Sequence, residues 1–213
     1  MTGDSTRSCV CVDGFNLYYV SLKGTPWRWL DLVTLFQEIL QPHHDVVAVK
    51  CFTARVSATP RDPSKPMRQN AYLRALTTHR PEVELIFGHF LTHTVPMPRA
   101  PATANVQMVN IIKTEEKGSD VKLAVHLLND AWLDLYDCAV VASNDSDLAE
   151  AMRLVKHHHP AKRIGLITPG KRRPSRQLSM HADFMKPVRN SALQNSQLPD
   201  PVPGTRLCKP ATW

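Results

Sequence analysis

The sequence predicts an α/β fold with a mostly parallel sheet covered on both faces by helices. Short, mostly apolar runs such as Cys9–Val12, Val46–Phe52 and Cys138–Ala142 have the length and composition of strands buried on both sides. They alternate with longer segments whose apolar residues recur at helical spacing, a pattern that favours parallel pairing through helical crossovers. A third observation concerns the ends of these runs. Asp13 closes the first, and Asp145 and Asp147 follow the run 138–142. If the two strands are neighbours, their acidic ends meet at the C-terminal edge of the sheet, where open α/β sheets place their sites.

The elements follow in order. The first strand covers about residues 9–13, and a short turn or helix runs from Phe15 to Leu22. Asp31 is placed to cap a helix with Leu32, Leu35, Phe36, Ile39 and Leu40 on one stripe, and Pro42 ends it. Val46–Phe52 is a buried strand. Ser64 with Pro66 starts a second helix that reaches about Thr78, and Val83–Gly88 is a third strand. Residues 89–117 lack helical spacing. His89–Thr94 and Val106–Thr114 read as the arms of an inserted β-hairpin, with Pro96–Pro101 as its mobile tip.

The strongest amphipathic helix runs from Ser119 to about Asp134. A strand at 138–142, a helix at 147–157 and a strand at 163–168 repeat the pattern. A short helix near Ser175–Met180 leads to a last strand around Ala182–Val188. Beyond Asn190 the chain is polar, carries four prolines and shows no periodicity. The reading is one domain over residues 8–188 and a disordered tail over 189–213.

Composition narrows the function. An excess of Lys and Arg over Asp and Glu leaves a formal charge of +7, which suits a polyanionic partner as well as simple solubility. The short polar N-terminus is not a signal peptide, and no apolar stretch approaches the roughly 18 residues of a membrane span. Four of the five cysteines fall in expected strands, which points to buried free thiols and a reducing, cytoplasmic compartment. No Cys/His spacing suits zinc. No Gly-rich phosphate loop supports a kinase or a dehydrogenase, and no Ser-His-Asp or Cys-His set has a recognisable context.

Taken singly, each acid has an ordinary explanation. Asp13-Gly14 fits a turn, Asp120 sits in the first turn of a helix where the dipole favours it, and Asp147 with Glu150 has capping-box spacing. Together they are harder to explain away, because four carboxylates without an intervening Lys or Arg repel one another unless a cation is bound. Hard oxygen donors select Mg²⁺ or Mn²⁺. Asp13 and Asp145 are the nearest expected ligands, with Asp120 and Asp147 binding a second ion or holding metal waters.

Three segments carry a resemblance. Val12-Asp13-Gly14-Phe15-Asn16-Leu17-Tyr18, Glu116-Lys117-Gly118-Ser119-Asp120-Val121 and Ser143-Asn144-Asp145-Ser146-Asp147 resemble the signature segments of NYN domains, which belong to the PIN-like nuclease superfamily. Arg173-Pro174-Ser175 and His181-Ala182-Asp183-Phe184 look like the closing motif of many members. The likeness covers about residues 8–188. It implies a Rossmann-like three-layer α/β/α fold and metal-dependent ribonuclease activity. It also implies that Asp13, Asp120, Asp145 and Asp147 correspond to the acidic site, with Asn16 and Ser143 in support. Many members carry an acid six residues beyond the Ser-Asp-Val aspartate, where this chain has His126.

For the nucleic acid itself, Lys171, Arg172, Arg173 and Arg176 form a basic run suited to a phosphate backbone, and Trp27 is a candidate for stacking on an unpaired base. The leading reading is thus an Mg²⁺- or Mn²⁺-dependent nuclease, an endoribonuclease acting on single-stranded RNA. The competing readings are a non-catalytic RNA-binding or regulatory module on the same fold and a different phosphoryl-transfer enzyme such as a nucleotide phosphatase.

Overall fold

A computed structural model describes residues 5–99, 108–170 and 173–213. Strand β1 (Thr6–Asp13) leads through α1 (Gly14–Leu17) and a π-helical turn (Tyr18–Leu22) to α2 (Leu32–Ile39) and β2 (His44–Thr53). Helix α3 (Lys65–His79) returns the chain to β3 (Val83–Phe87). A hairpin follows, β4 (His89–Pro98) and β5 (Met108–Lys117), and then α4 (Ser119–Trp132) and β6 (Cys138–Ala142). A 3-10 turn (Ser146–Leu148), α5 (Ala149–His158), β7 (Arg163–Thr168), α6 (Arg176–Ser179), β8 (Phe184–Pro187) and α7 (Asn190–Asn195) complete it.

Six strands pair in parallel in the order β3-β2-β1-β6-β7-β8, while β4 and β5 form a separate antiparallel sheet. The order reverses between β1 and β6, which makes that boundary the topological switch point. Alternation along the strands separates two cores. Val10, Val12, Val140 and Ala142 face a cluster with Leu35 and Phe36 of α2 and Leu76 of α3. Cys9, Cys11, Ala139 and Val141 face Leu123 and Leu127 of α4 and Met152 and Val155 of α5. Period-two side chains on a doubly covered sheet demand such a three-layer stack. The four strand cysteines are buried and free, as expected, and Cys208 is exposed. Among the described residues no helix is long and apolar enough to cross a membrane.

Residues 189–213 correct the expectation of a disordered tail. Helix α7 buries Ala192 and Leu193, and Leu198 and Val202 join the first core. The Asp31 N–H donates to Ser196 O at 2.8 Å, and the Leu198 N–H donates to Trp29 O at 2.8 Å. The Trp29 indole donates to Pro199 O at 3.2 Å, and Trp213 stacks edge-on against Trp29 at 5.9 Å. The segment has no periodicity because each apolar residue drops singly onto a floor made by distant residues. Such docking leaves no local signature.

Two smaller differences concern loops. The expected hairpin tip overlaps strand β4 at Pro96–Pro98, and its remainder at Ala100 and Pro101 lies outside the described residues. Asp147 and Glu150 do not form a capping box. Asp145 caps instead, its Oδ1 accepting the Asp147 N–H at 3.0 Å, while Glu150 pairs with Arg153.

Candidate active site

The C-terminal ends of β1 and β6 place Asp13 and Ser143 side by side. Chain direction after β1 turns on Gly14, where a Cβ would lie 2.9 Å from Phe52 O of the neighbouring strand. Asp13 then caps α1, its Oδ1 accepting the Asn16 N–H at 2.9 Å. Its Oδ2 accepts the Ser143 hydroxyl at 2.8 Å, and that same hydroxyl oxygen accepts the Asp145 N–H at 3.1 Å. A bonded chain therefore runs Asp13–Ser143–Asp145–Asp147 across the switch point.

Asp120 enters from the first turn of α4, which begins after Gly118 in the left-handed region at φ 94°. Glu116, at the end of β5, accepts from both the Ser119 N–H at 3.1 Å and the Ser119 hydroxyl at 2.6 Å. Gly88 makes room for it, since a Cβ there would collide with the Glu116 carboxylate. A cleft of about 380 Å³ is lined by Asp13, Asn16, Glu116, Asp120 and Asp145, with Phe15, Tyr19 and Phe90 as its apolar wall. Phe90 of the hairpin meets Phe15 edge-on at 5.6 Å. Glu116 and Phe90 are thus site residues beyond those singled out from the sequence. Glu116 stands in a matching motif segment, so its signal was present, whereas Phe90 had none.

Electrostatics match this crowding. Burial is the main cause that lifts the Asp13 carboxyl above its ordinary value, partly opposed by the bonds from Asn16 and Ser143. Burial, followed by the charges of Asp13, Asp145, Glu116 and Asp147, pushes Asp120 up to about 6. No Lys or Arg among the described residues lines the cleft. Asn16 Oδ1 is buried and has no donor among the described residues. Uncompensated carboxylates plus an orphaned amide oxygen make a donor set that suits a hard divalent cation. As they stand, no three His, Cys, Asp or Glu among the described residues are gathered closely enough to hold one.

The remaining candidates divide. Asp147 is exposed and stands at the rim rather than in the cleft lining. The Asn144 side chain donates to Arg173 O at 3.2 Å and accepts from the Ser175 N–H at 2.6 Å, tying the Arg173–Ser175 loop to the acidic segment. Arg173 and Arg176 are exposed beside it, while Lys171 and Arg172 lie outside the described residues. Trp27 is not brought to the cleft. It packs half-buried against the first core, because the docked segment after α7 covers it, Gln197 donating to its carbonyl. His126 packs edge-on against Phe52 at 5.5 Å and lies 3.4 Å from Lys50 Nζ. That lysine binds the buried Asp130 at 2.7 Å.

A crystal structure of a protein of unknown function from Vibrio parahaemolyticus RIMD 2210633 superposes with a TM-score of 0.54 at 15% identity, covering 89% of this chain and 97% of that one. A protein of Pseudomonas putida (strain DSM 28022 / S16), named 6-hydroxy-3-succinoylpyridine 3-monooxygenase HspA, is 31% identical over all of this chain and 77% of its own length. The sequence profile of the NYN domain matches residues 7–186, and on that match the chain belongs to the NYN domain family.

Proposed function

We propose that the protein is a divalent-metal-dependent nuclease that hydrolyses phosphodiester bonds, acting as an endoribonuclease on single-stranded RNA with Mg²⁺ or Mn²⁺. The observation that carries this reading is the cleft that Asp13, Asp120 and Asp145 line together, with no neutralising Lys or Arg among the described residues. A protein gains no stability from such a cluster, and the rise of Asp120 to about 6 is its electrostatic signature. Membership of a family with a nuclease-like fold points the same way.

In this reading Asp13, Asp120 and Asp145 hold the cation, and Asp147 and Glu116 stand behind them. A bound divalent ion would acidify a water and neutralise charge on the phosphate. Ser143 ties the Asp13 carboxylate to the Asp145 backbone N–H through its two bonds. Asn16 Oδ1 offers an acceptor for a hydrogen of the attacking water. Water adds to phosphorus, the phosphorus–oxygen bond to the leaving sugar oxygen breaks, and that oxygen takes up a proton. Arg173 and Arg176, with Lys171 and Arg172, hold the backbone of the strand.

The test is cleavage of labelled single-stranded RNA and DNA in Mg²⁺, Mn²⁺ or EDTA by wild type and Asp145→Asn. Metal-dependent RNA cutting that disappears in the variant is the expected result. Equal cutting by both proteins would sink the site assignment, and RNA binding without cutting would favour the non-catalytic RNA-binding module.

A second reading has its own support. The Pseudomonas putida relative is named as a monooxygenase of a hydroxypyridine, at 31% identity across the whole chain. Such chemistry needs dioxygen and an electron donor such as a reduced nicotinamide or flavin. Consumption of dioxygen on adding 6-hydroxy-3-succinoylpyridine and NADH, with and without flavin, is its test. No consumption beyond the protein-free control would remove it.

A further inference from the structure

Behind Phe15 and Tyr19, which it shares with the acidic cleft, lies a second cavity of about 130 Å³. Its floor is the apolar core at Val12, Leu17, Leu22, Leu32 and Leu73. Tyr18, Tyr72 and Trp213 supply aromatic walls, and Arg28, Lys65 and Arg68 are the charged side chains of its lining among the described residues. Asp and Glu side chains line the neighbouring cleft, and none among the described residues lines this one. The two spaces therefore select different groups although they touch.

The charges are unequally compensated. Arg68 is bound to Asp62 at 2.5 Å. Arg28 and Lys65 have no carboxylate within ion-pairing distance among the described residues. An independent observation comes from Trp213. Its Nε1 is buried without an acceptor among the described residues, and an indole N–H can only donate. A buried donor left unpaired costs about 1–3 kcal/mol, so a ligand with an acceptor would relieve it. The size also fits, since a dry apolar cavity of roughly 150 Å³ takes up one benzene-sized ring.

We propose that this cavity binds a planar aromatic ring that carries an anionic group and a ring acceptor. The ring would lie against the Tyr18, Tyr72 and Trp213 side chains that line the cavity, its acceptor would meet the Trp213 Nε1, and the anion would lie against Arg28 and Lys65. Two sources share this chemistry: the base and phosphate of a nucleotide unit, and a free heteroaromatic carboxylate. The proposal does not depend on phosphodiester cleavage in the adjoining cleft.

The experiment is calorimetric titration of the full chain, in metal-free buffer, with adenosine and uridine 5′-monophosphates, pyridine-3-carboxylate, the neutral pyridine-3-carboxamide and inorganic phosphate. At least one ring-bearing anion is expected to bind about tenfold or more tightly than both the carboxamide and phosphate. Arg28→Ala should weaken that anion about tenfold and leave carboxamide binding unchanged, and Trp213→Phe, which keeps the ring and removes the N–H, should weaken it several-fold. Binding of nucleotides alone makes the cavity a base subsite of the cleft, and binding of the pyridine carboxylate alone makes it a small-molecule site. Failure of every ring anion to bind, equal affinity for the carboxamide, or indifference to Arg28→Ala in a variant of unchanged melting temperature would overturn the proposal. Asp145→Asn should bind the ring anion like wild type, so loss of cleavage and loss of cavity binding are read separately.

Discussion

Ser143 joins two site residues with one hydroxyl, donating to the Asp13 carboxylate and accepting from the Asp145 backbone N–H. Ser143→Ala should cost about 1–2 kcal/mol in urea unfolding, because the buried Asp13 loses a donor. It should also lower cleavage by about 10- to 100-fold while leaving RNA affinity near wild type. Asp120 titrates in a definite direction. Its folded value of about 6 lies above the ordinary 3.8, so the folded state holds the proton more tightly than the unfolded one. Its contribution to stability is present below about pH 4 and is lost as the pH rises through about 6. In metal-free buffer, Asp120→Asn should therefore melt higher than wild type at neutral pH and about equally below pH 4. Elsewhere, Lys50 neutralises Asp130, which is 1% exposed. Lys50→Met strands that charge and should destabilise the fold by about 3–5 kcal/mol. The acidic residues were legible in the sequence because each closes a strand or opens a helix. Phe90 was not, since its place beside Phe15 follows from how the hairpin leans on the sheet.

Among the elements, α7 and the segment after it change the picture most. They cover Trp29 and Leu30 with Leu193, Leu198 and Val202. A chain ending at Arg189 should lose on the order of 3 kcal/mol or more, as three apolar side chains and their floor return to water. An unchanged urea midpoint would show that this docking contributes nothing. Strands, helices and their order could be read from apolar periodicity because each element carries its own pattern. The docked segment could not, since half of its pattern resides on α2 and the loop before it. The start of α5 depends on tertiary context for a related reason. Asp145 caps the 3-10 turn that precedes it, its Oδ1 accepting the Asp147 N–H, and α5 begins at Ala149 without a side-chain cap.

At the scale of the molecule, a formal charge of +7 surrounds an acidic cleft, which divides attraction of a polyanion from its chemistry. If Lys171, Arg172, Arg173 and Arg176 all contact phosphates, single-stranded RNA affinity should fall by about 50-fold between 50 and 200 mM salt. A flat salt dependence, measured by fluorescence anisotropy, would remove the backbone role from that run. The sequence by itself determined the α/β class, the succession of strands and helices and the acidic residues at their ends, because apolar periodicity and strand-end chemistry are local. Only the tertiary structure decided that β1 and β6 are neighbours and that Glu116 joins the cleft. It likewise decided that Trp27 packs inward and that Ala192, Leu193, Leu198 and Val202 join the core. Each depends on which distant surfaces meet, and that is set by burying apolar area across the whole chain rather than by any one segment.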